Sequence, residues 1–114
     1  MAPDLSNLAT PANCTADVCL IPIGTASASI SHEIADVQRL FQQSGLNFKM
    51  HSAGTTIEGP WDNVLTLIGQ AHSMLHEKGL VRVHSDIRIG SRIDKTETME
   101  SKVASVEKKL LKGE

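Results

Sequence analysis

The 114-residue sequence contains no tyrosine, two phenylalanines and one tryptophan. So few rings exclude the stacking platforms that hold bases or sugars. Net charge is −2, so there is no basic footprint for nucleic acid. No apolar run approaches the ~20 residues that a membrane helix needs. The first residues carry neither the basic nor the apolar region of a secretory signal, and a cytoplasmic location is expected. Cysteine is scarce, at two residues. Cys14 and Cys19 are five apart on one predicted strand, so they project from opposite faces and cannot bridge there. Reduced, structural thiols fit that spacing, and it is not the C-x-x-C of a metal or redox pair.

What is present, 40% hydrophobic and 21% charged residues, describes one ordinary globular domain. Residues 1–14, with two prolines and little periodicity, are expected to be a mobile extension; residues 15–112 form the domain. Residues 15–24 make a first strand that is apolar on both faces, with Val18 and Leu20 on one and Cys19, Ile21 and Ile23 on the other. Pro22 predicts a bulge or strand end nearby. A small hydroxyl-rich loop follows, from which Ser29 or Ser31 can cap a helix. Ile30, Ile34, Val37, Leu40 and Phe41 form that helix's stripe, and Ser44-Gly45 stops it. Residues 46–53 make strand two, and a turn at Gly54 leads into a third strand ending near Glu58. Pro60 suits the first position of helix two, which runs to about Lys78 and buries Trp61, Val64, Leu65, Ile68, Ala71, His72 and Leu75. Residues 80–93 alternate as strand four, with Arg82, His84, Asp86 and Arg88 on one side. Met99, Val103, Val106 and Leu110 mark a last amphipathic helix.

The order β-α-β-β-α-β-α predicts an α+β, ferredoxin-like antiparallel sheet with an added C-terminal helix. Both crossover helices then lie on one sheet face. The other face carries the second apolar side of strand one, which predicts a homo-oligomer with sheets stacked face to face. The row Arg82, His84, Asp86 and Arg88 would line that interface or a pocket at its rim.

Few residues carry chemistry on their own. His72 and His76 are i, i+4 on a helix, but the run lacks the glutamate of the HExxH zinc helix, so a packed or half-exposed pair is expected and no metal site. His51 and His84 are read as hydrogen-bonded sheet residues. Arg82, Arg88, Arg92 and Lys95 either pair with Asp86 and Asp94 or form an anion pocket. Glu58, just before a helix, either complements the helix dipole or anchors a cationic ligand. Ser27, Ser29, Thr55 and Thr56 are turn formers that could frame a small polar pocket. No nucleophile has a base aligned with it.

The runs Gly24-x-x-Ser27-x-Ser29 and Gly54-Thr55-x-Ile57-Glu58-Gly59, with Arg82-Val83 and Asp94-Lys95 beyond them, resemble the thiamine-binding YkoF-like family, long catalogued as the uncharacterised UPF0045 family. The resemblance spans roughly residues 17–110. It implies a ferredoxin-like fold, a homotetramer built as a dimer of dimers, and a binding protein for thiamine or a related pyrimidine that is not an enzyme and uses no cofactor. Its implied ligand-binding residues are Ser27, Ser29 and Thr55 for the aminopyrimidine, Glu58 or Asp86 for the thiazolium cation, Arg88 or Arg92 for any phosphate, and Met50 as an apolar wall. Two other functions fit the same fold. One is a ligand-free regulatory or assembly module. The other is an acylphosphatase-like hydrolase, which would need an arginine that residues 25–29 lack.

Overall fold

In a computed structural model, which describes residues 2–24, 31–96 and 98–113, the chain runs β1 (Asn13–Ile23), α1 (Ser31–Ser44), β2 (Asn47–His51), β3 (Gly54–Pro60), α2 (Trp61–Glu77), β4 (Arg82–Gly90) and α3 (Met99–Lys112). The four strands are antiparallel in the order β2-β3-β1-β4. β3 is thus inserted between β1 and β2, and β1 between β3 and β4, which is the split arrangement of a ferredoxin-like α+β fold.

Alternation along β1 sets the layers. Cys14, Ala16 and Val18 are buried under the helices, while Asp17 between them is exposed. α2 answers with Val64, Ile68, Ala71 and Leu75, spaced three and four apart and all buried. Leu67 joins them, although the sequence pattern placed it off the stripe; Trp61 and Leu65 are only partly buried. α1 contributes Val37 and Phe41, and the Phe41 ring meets Phe48 of β2 edge-on, 5.9 Å between centroids. Cys14 and Cys19 are both free thiols, and burial pushes the Cys14 thiol up.

Several boundaries differ from expectation. β1 starts at Asn13, two residues before the expected strand, and ahead of it Trp61 N–H donates to the Ala12 carbonyl and Thr10 Oγ1 to Asp62 Oδ1. Pro22 is an exception: β1 ends at Ile23, one residue beyond it, as expected, and pairs with β4 as far as Ile23↔Arg82. Pairing with β3 stops at Val18↔Thr55, so beyond Val18 the strand has one open edge, where proline is tolerated. β4 is shorter than residues 80–93: it begins at Arg82, which faces Ile23, the last residue of β1, and ends at Gly90, which faces Thr15, two residues short of the start of β1. β2 likewise covers only Asn47–His51, ending where Gly54 of β3 faces His51. Pro60 is the cap of α2 and not its first helical residue.

The sheet face away from α1 and α2 is mixed, not the apolar surface expected of it. Ile21 and Ile23 lie there, each 37% exposed, opposite His84 and Arg82. Beside them stand Asp17, opposite Arg88, and Lys49, opposite Thr56. The second apolar side of β1 is therefore one strip on an otherwise charged surface. α3 begins at this face, held by a capping box between Thr98 and Ser101 and by Met99 N–H donating to Glu58 Oε2 at 2.9 Å. None of its described residues is buried, and Val103, Val106 and Leu110 are 55–70% exposed.

Gly54 meets β1 at a close approach. Its φ is +156°, and a Cβ there would lie 2.6 Å from the Val18 carbonyl oxygen. Gly54→Ala is expected to cost about 1–3 kcal/mol, seen as a lower urea midpoint with an unchanged slope. Asp36 gives a pH signature. A hydrogen bond from Lys78 at 2.7 Å, helped by the charges of Lys78 and Arg39, holds its carboxyl below the usual carboxylate range. A lowered folded-state value gives stability that is present above the ordinary carboxylate pKa and fades as pH falls through the lowered one. Asp36→Asn should therefore lower the melting temperature at neutral pH and flatten its decline toward pH 3.

Candidate functional site

α1 leans chiefly on α2 and less on the strands. Between its N-terminal half, the far end of β1 and the β2–β3 turn opens a cavity of about 350 Å3. Its body is apolar, walled by Val18, Leu20, Ile34, Val37 and Met50. Such a volume with an apolar body and a few polar groups is of small-molecule size.

Three polar features face it. Thr55 is buried, and its hydroxyl accepts a 2.9 Å hydrogen bond from Gln38 Nε2. That bond leaves the Thr55 hydroxyl proton and the Gln38 side-chain carbonyl as a donor and an acceptor. Glu33, half-buried in the first turn of α1, lines the cavity and has no hydrogen bond or ion pair among the described residues. The positive end of the helix dipole favours its carboxylate. His51 closes the rim. Its Nε2 is 2.6 Å from Asp17 Oδ1, and its Nδ1 accepts from the Ala53 N–H at 3.2 Å. The backbone donor assigns the ring proton to Nε2, where it is donated to the carboxylate, so both nitrogens are committed.

Of the residues singled out from the sequence, Met50 and Thr55 line this cavity. Ser27 and Ser29 lie outside the described residues. Glu58 is on the opposite side of the sheet, where its Oε2 accepts from Met99 N–H and its Oε1 from Asn47 Nδ2 at 2.5 Å. Asp86 and Arg88 are on that face too, opposite Cys19 and Asp17 of β1. Arg92 forks onto Asp94 through Nε at 2.7 Å and Nη2 at 2.5 Å, and this hydrogen bonding brings the Asp94 carboxyl down to about 2. A single chain therefore does not gather the six described residues around one space. Glu33 and Gln38 were not singled out. The available signal was their position: they stand beside Ile34 and Val37 on the α1 stripe, where polar residues flank apolar ones that face the sheet.

The paired histidines of α2 are structural. His72 Nε2 is 2.9 Å from Ser85 Oγ, and His76 Nδ1 donates to the Leu80 carbonyl at 2.7 Å. Burial, then the neighbouring His76 and His84, lower the His72 pKa. Among the described residues no group of three or more His, Cys, Asp or Glu could hold a metal ion, and no helix is long and apolar enough to cross a membrane.

Fold and cavity together are those of a ferredoxin-like α+β protein with a cavity of small-molecule size. The chain belongs to the thiamine-binding protein family, whose model matches residues 16–107. A UPF0045 protein, ECM15, of Eremothecium gossypii is 50% identical over 94 residues, covering 82% of this chain and 90% of that protein. The solved structure of a hypothetical protein, MJ1052, of Methanocaldococcus jannaschii superposes with a TM-score of 0.76 at 30% identity, over 84% of this chain and 97% of that one. A Thermotoga maritima protein, proposed to act in thiamine biosynthesis or salvage, shares the fold with a TM-score of 0.70 at 17% identity, over 82% and 98% of the two chains.

The Gln38–Thr55 bond is testable without any ligand. Thr55→Val and Gln38→Ala, combined in a double-mutant cycle, should reveal a coupling of about 0.5–1.5 kcal/mol in urea unfolding.

Proposed function

We propose that this protein is a non-catalytic binding protein for thiamine or a related aminopyrimidine, which it holds between α1 and the β2–β3 turn. The observation that carries this reading is the apolar cavity of about 350 Å3 with the Gln38–Thr55 pair and the unpartnered Glu33 on its wall. An aminopyrimidine offers adjacent donors and acceptors, and Thr55 and Gln38 present one of each. Met50 and Ile34 supply the apolar surface against the ring. Ser27 and Ser29, next in the chain to this site, complete the polar contacts in the proposal. Membership of the thiamine-binding family supports the ligand class. The non-catalytic reading is supported by the family, which is described as thiamine-binding, and by His51, whose two nitrogens are both engaged.

The proposal includes a cytoplasmic homotetramer. Val103, Val106 and Leu110 of α3 and the Ile21–Ile23 strip are apolar groups that a second copy would cover. Glu58 then acts by anchoring the start of α3, and Asp86 and Arg88 by pairing across the interface between copies. Arg92 is kept at its rim by Asp94.

Titration calorimetry of the full chain with thiamine and with 4-amino-5-hydroxymethyl-2-methylpyrimidine should give saturable binding of one ligand per chain. Ile34→Trp, which fills the cavity from a half-exposed helix position, should abolish it with the far-ultraviolet spectrum unchanged. Absence of heat for both compounds would refute the reading. Light scattering should return four chains per particle, and Val103→Lys with Val106→Lys should split them. A native chain that stays monomeric at high concentration would count against the assembly.

A further inference from the structure

We infer that the cavity selects its ligand by charge, accepting an unphosphorylated organic cation and excluding phosphorylated forms of the same molecule, with Glu33 as the selecting residue. This rests on the binding function proposed above and adds to it the charge class of the ligand.

The argument is an inventory of charge around one space. Glu33 puts a carboxylate on the cavity wall, and among the described residues no protein cation neutralises it. A half-buried carboxylate without a partner is better stabilised by a ligand's positive charge than by the low-dielectric wall around it. The positive end of α1, the feature most able to attract a phosphate, already carries this carboxylate in its first turn.

No lysine or arginine lines the cavity among the described residues. His51 is the single basic side chain on the described wall, and it is tied to Asp17 and to the Ala53 N–H. Of the other cations, Arg39 and Lys78 bind Asp36 and Arg92 binds Asp94, while Lys49, Arg82 and Arg88 stand on the opposite face of the sheet. A phosphomonoester brings a charge of about −1.5 to −2 at neutral pH. In this cavity it would lose water beside a like charge with no counter-ion, an arrangement that rejects partners.

Calorimetry on the native chain with thiamine, thiamine monophosphate and thiamine diphosphate tests this. Both phosphates should bind at least ~10-fold more weakly than thiamine, a gap of one decade or more in Kd. Glu33→Gln should weaken thiamine and shrink the gap, and Glu33→Lys, at the same half-exposed position, should reverse the order of affinities. Circular dichroism confirms that each variant is folded. If thiamine binds and the diphosphate binds equally well, the charge selection is overturned while the cavity's function stands. An unchanged gap in both folded variants overturns the role of Glu33. If thiamine itself gives no binding to the native chain, the underlying function falls, and the selection with it.

Discussion

Ala16 of β1 and Ala71 of α2 are both completely buried, in the same core as Cys14, Val18, Val64 and Ile68. Small residues on both partners let the helix sit close to the central strand, and a close seam excludes water over the whole contact. β1 is central in the sheet, paired with β3 on one side and β4 on the other. Fixing α2 against it therefore fixes the middle of the molecule. α1 is held mainly through α2 and by the Phe41–Phe48 contact at its C-terminal end. Its N-terminal half is left standing off the sheet, and that gap is the cavity.

The cavity thus follows from an imbalance between two helices of the same fold. α2 carries five buried residues along its length, against two on α1, both in its middle and later turns. At the start of α1 the sheet-facing positions hold Glu33 and Ile34, which line open space. The β2–β3 turn closes the space from the other side, and Gly54 lets that turn ride against the Val18 carbonyl. A cavity of small-molecule size thus forms between a helix end and a strand turn of one sheet-and-helix unit.

The two faces of the sheet divide the labour. One has the core and the cavity; the other carries charge, a strip of isoleucine and the root of α3. Asp17 and His51 join the two, since they bond on the open face while His51 also reaches the cavity rim. Glu58 belongs wholly to the open face, where it satisfies one of the first free N–H groups of α3. A carboxylate placed before a helix did take a capping role, though for α3 and not for α2, the helix next to it in the chain.

Much of this was legible from residue order alone. The strand and helix pattern, the stop at Ser44-Gly45, the opposite facing of Cys14 and Cys19 and the ferredoxin-like topology all come from local periodicity, which the backbone repeats of 2 and 3.6 residues impose before any long-range contact forms. Three things needed the folded molecule. Strand alternation says that Glu58 and Thr55 face opposite ways, but only packing shows which way the helices lie. The stripe on α1 marks Ile34 and Val37, but only the stand-off of the helix turns Glu33 and Gln38 beside them into cavity walls. Pairing decides where a strand begins, so β4 starts at Arg82, opposite the last residue of β1, and not where its own alternation starts. In each case the reason is the same: periodicity assigns a side chain to a face, while its environment is set by residues distant in sequence that arrive there on folding.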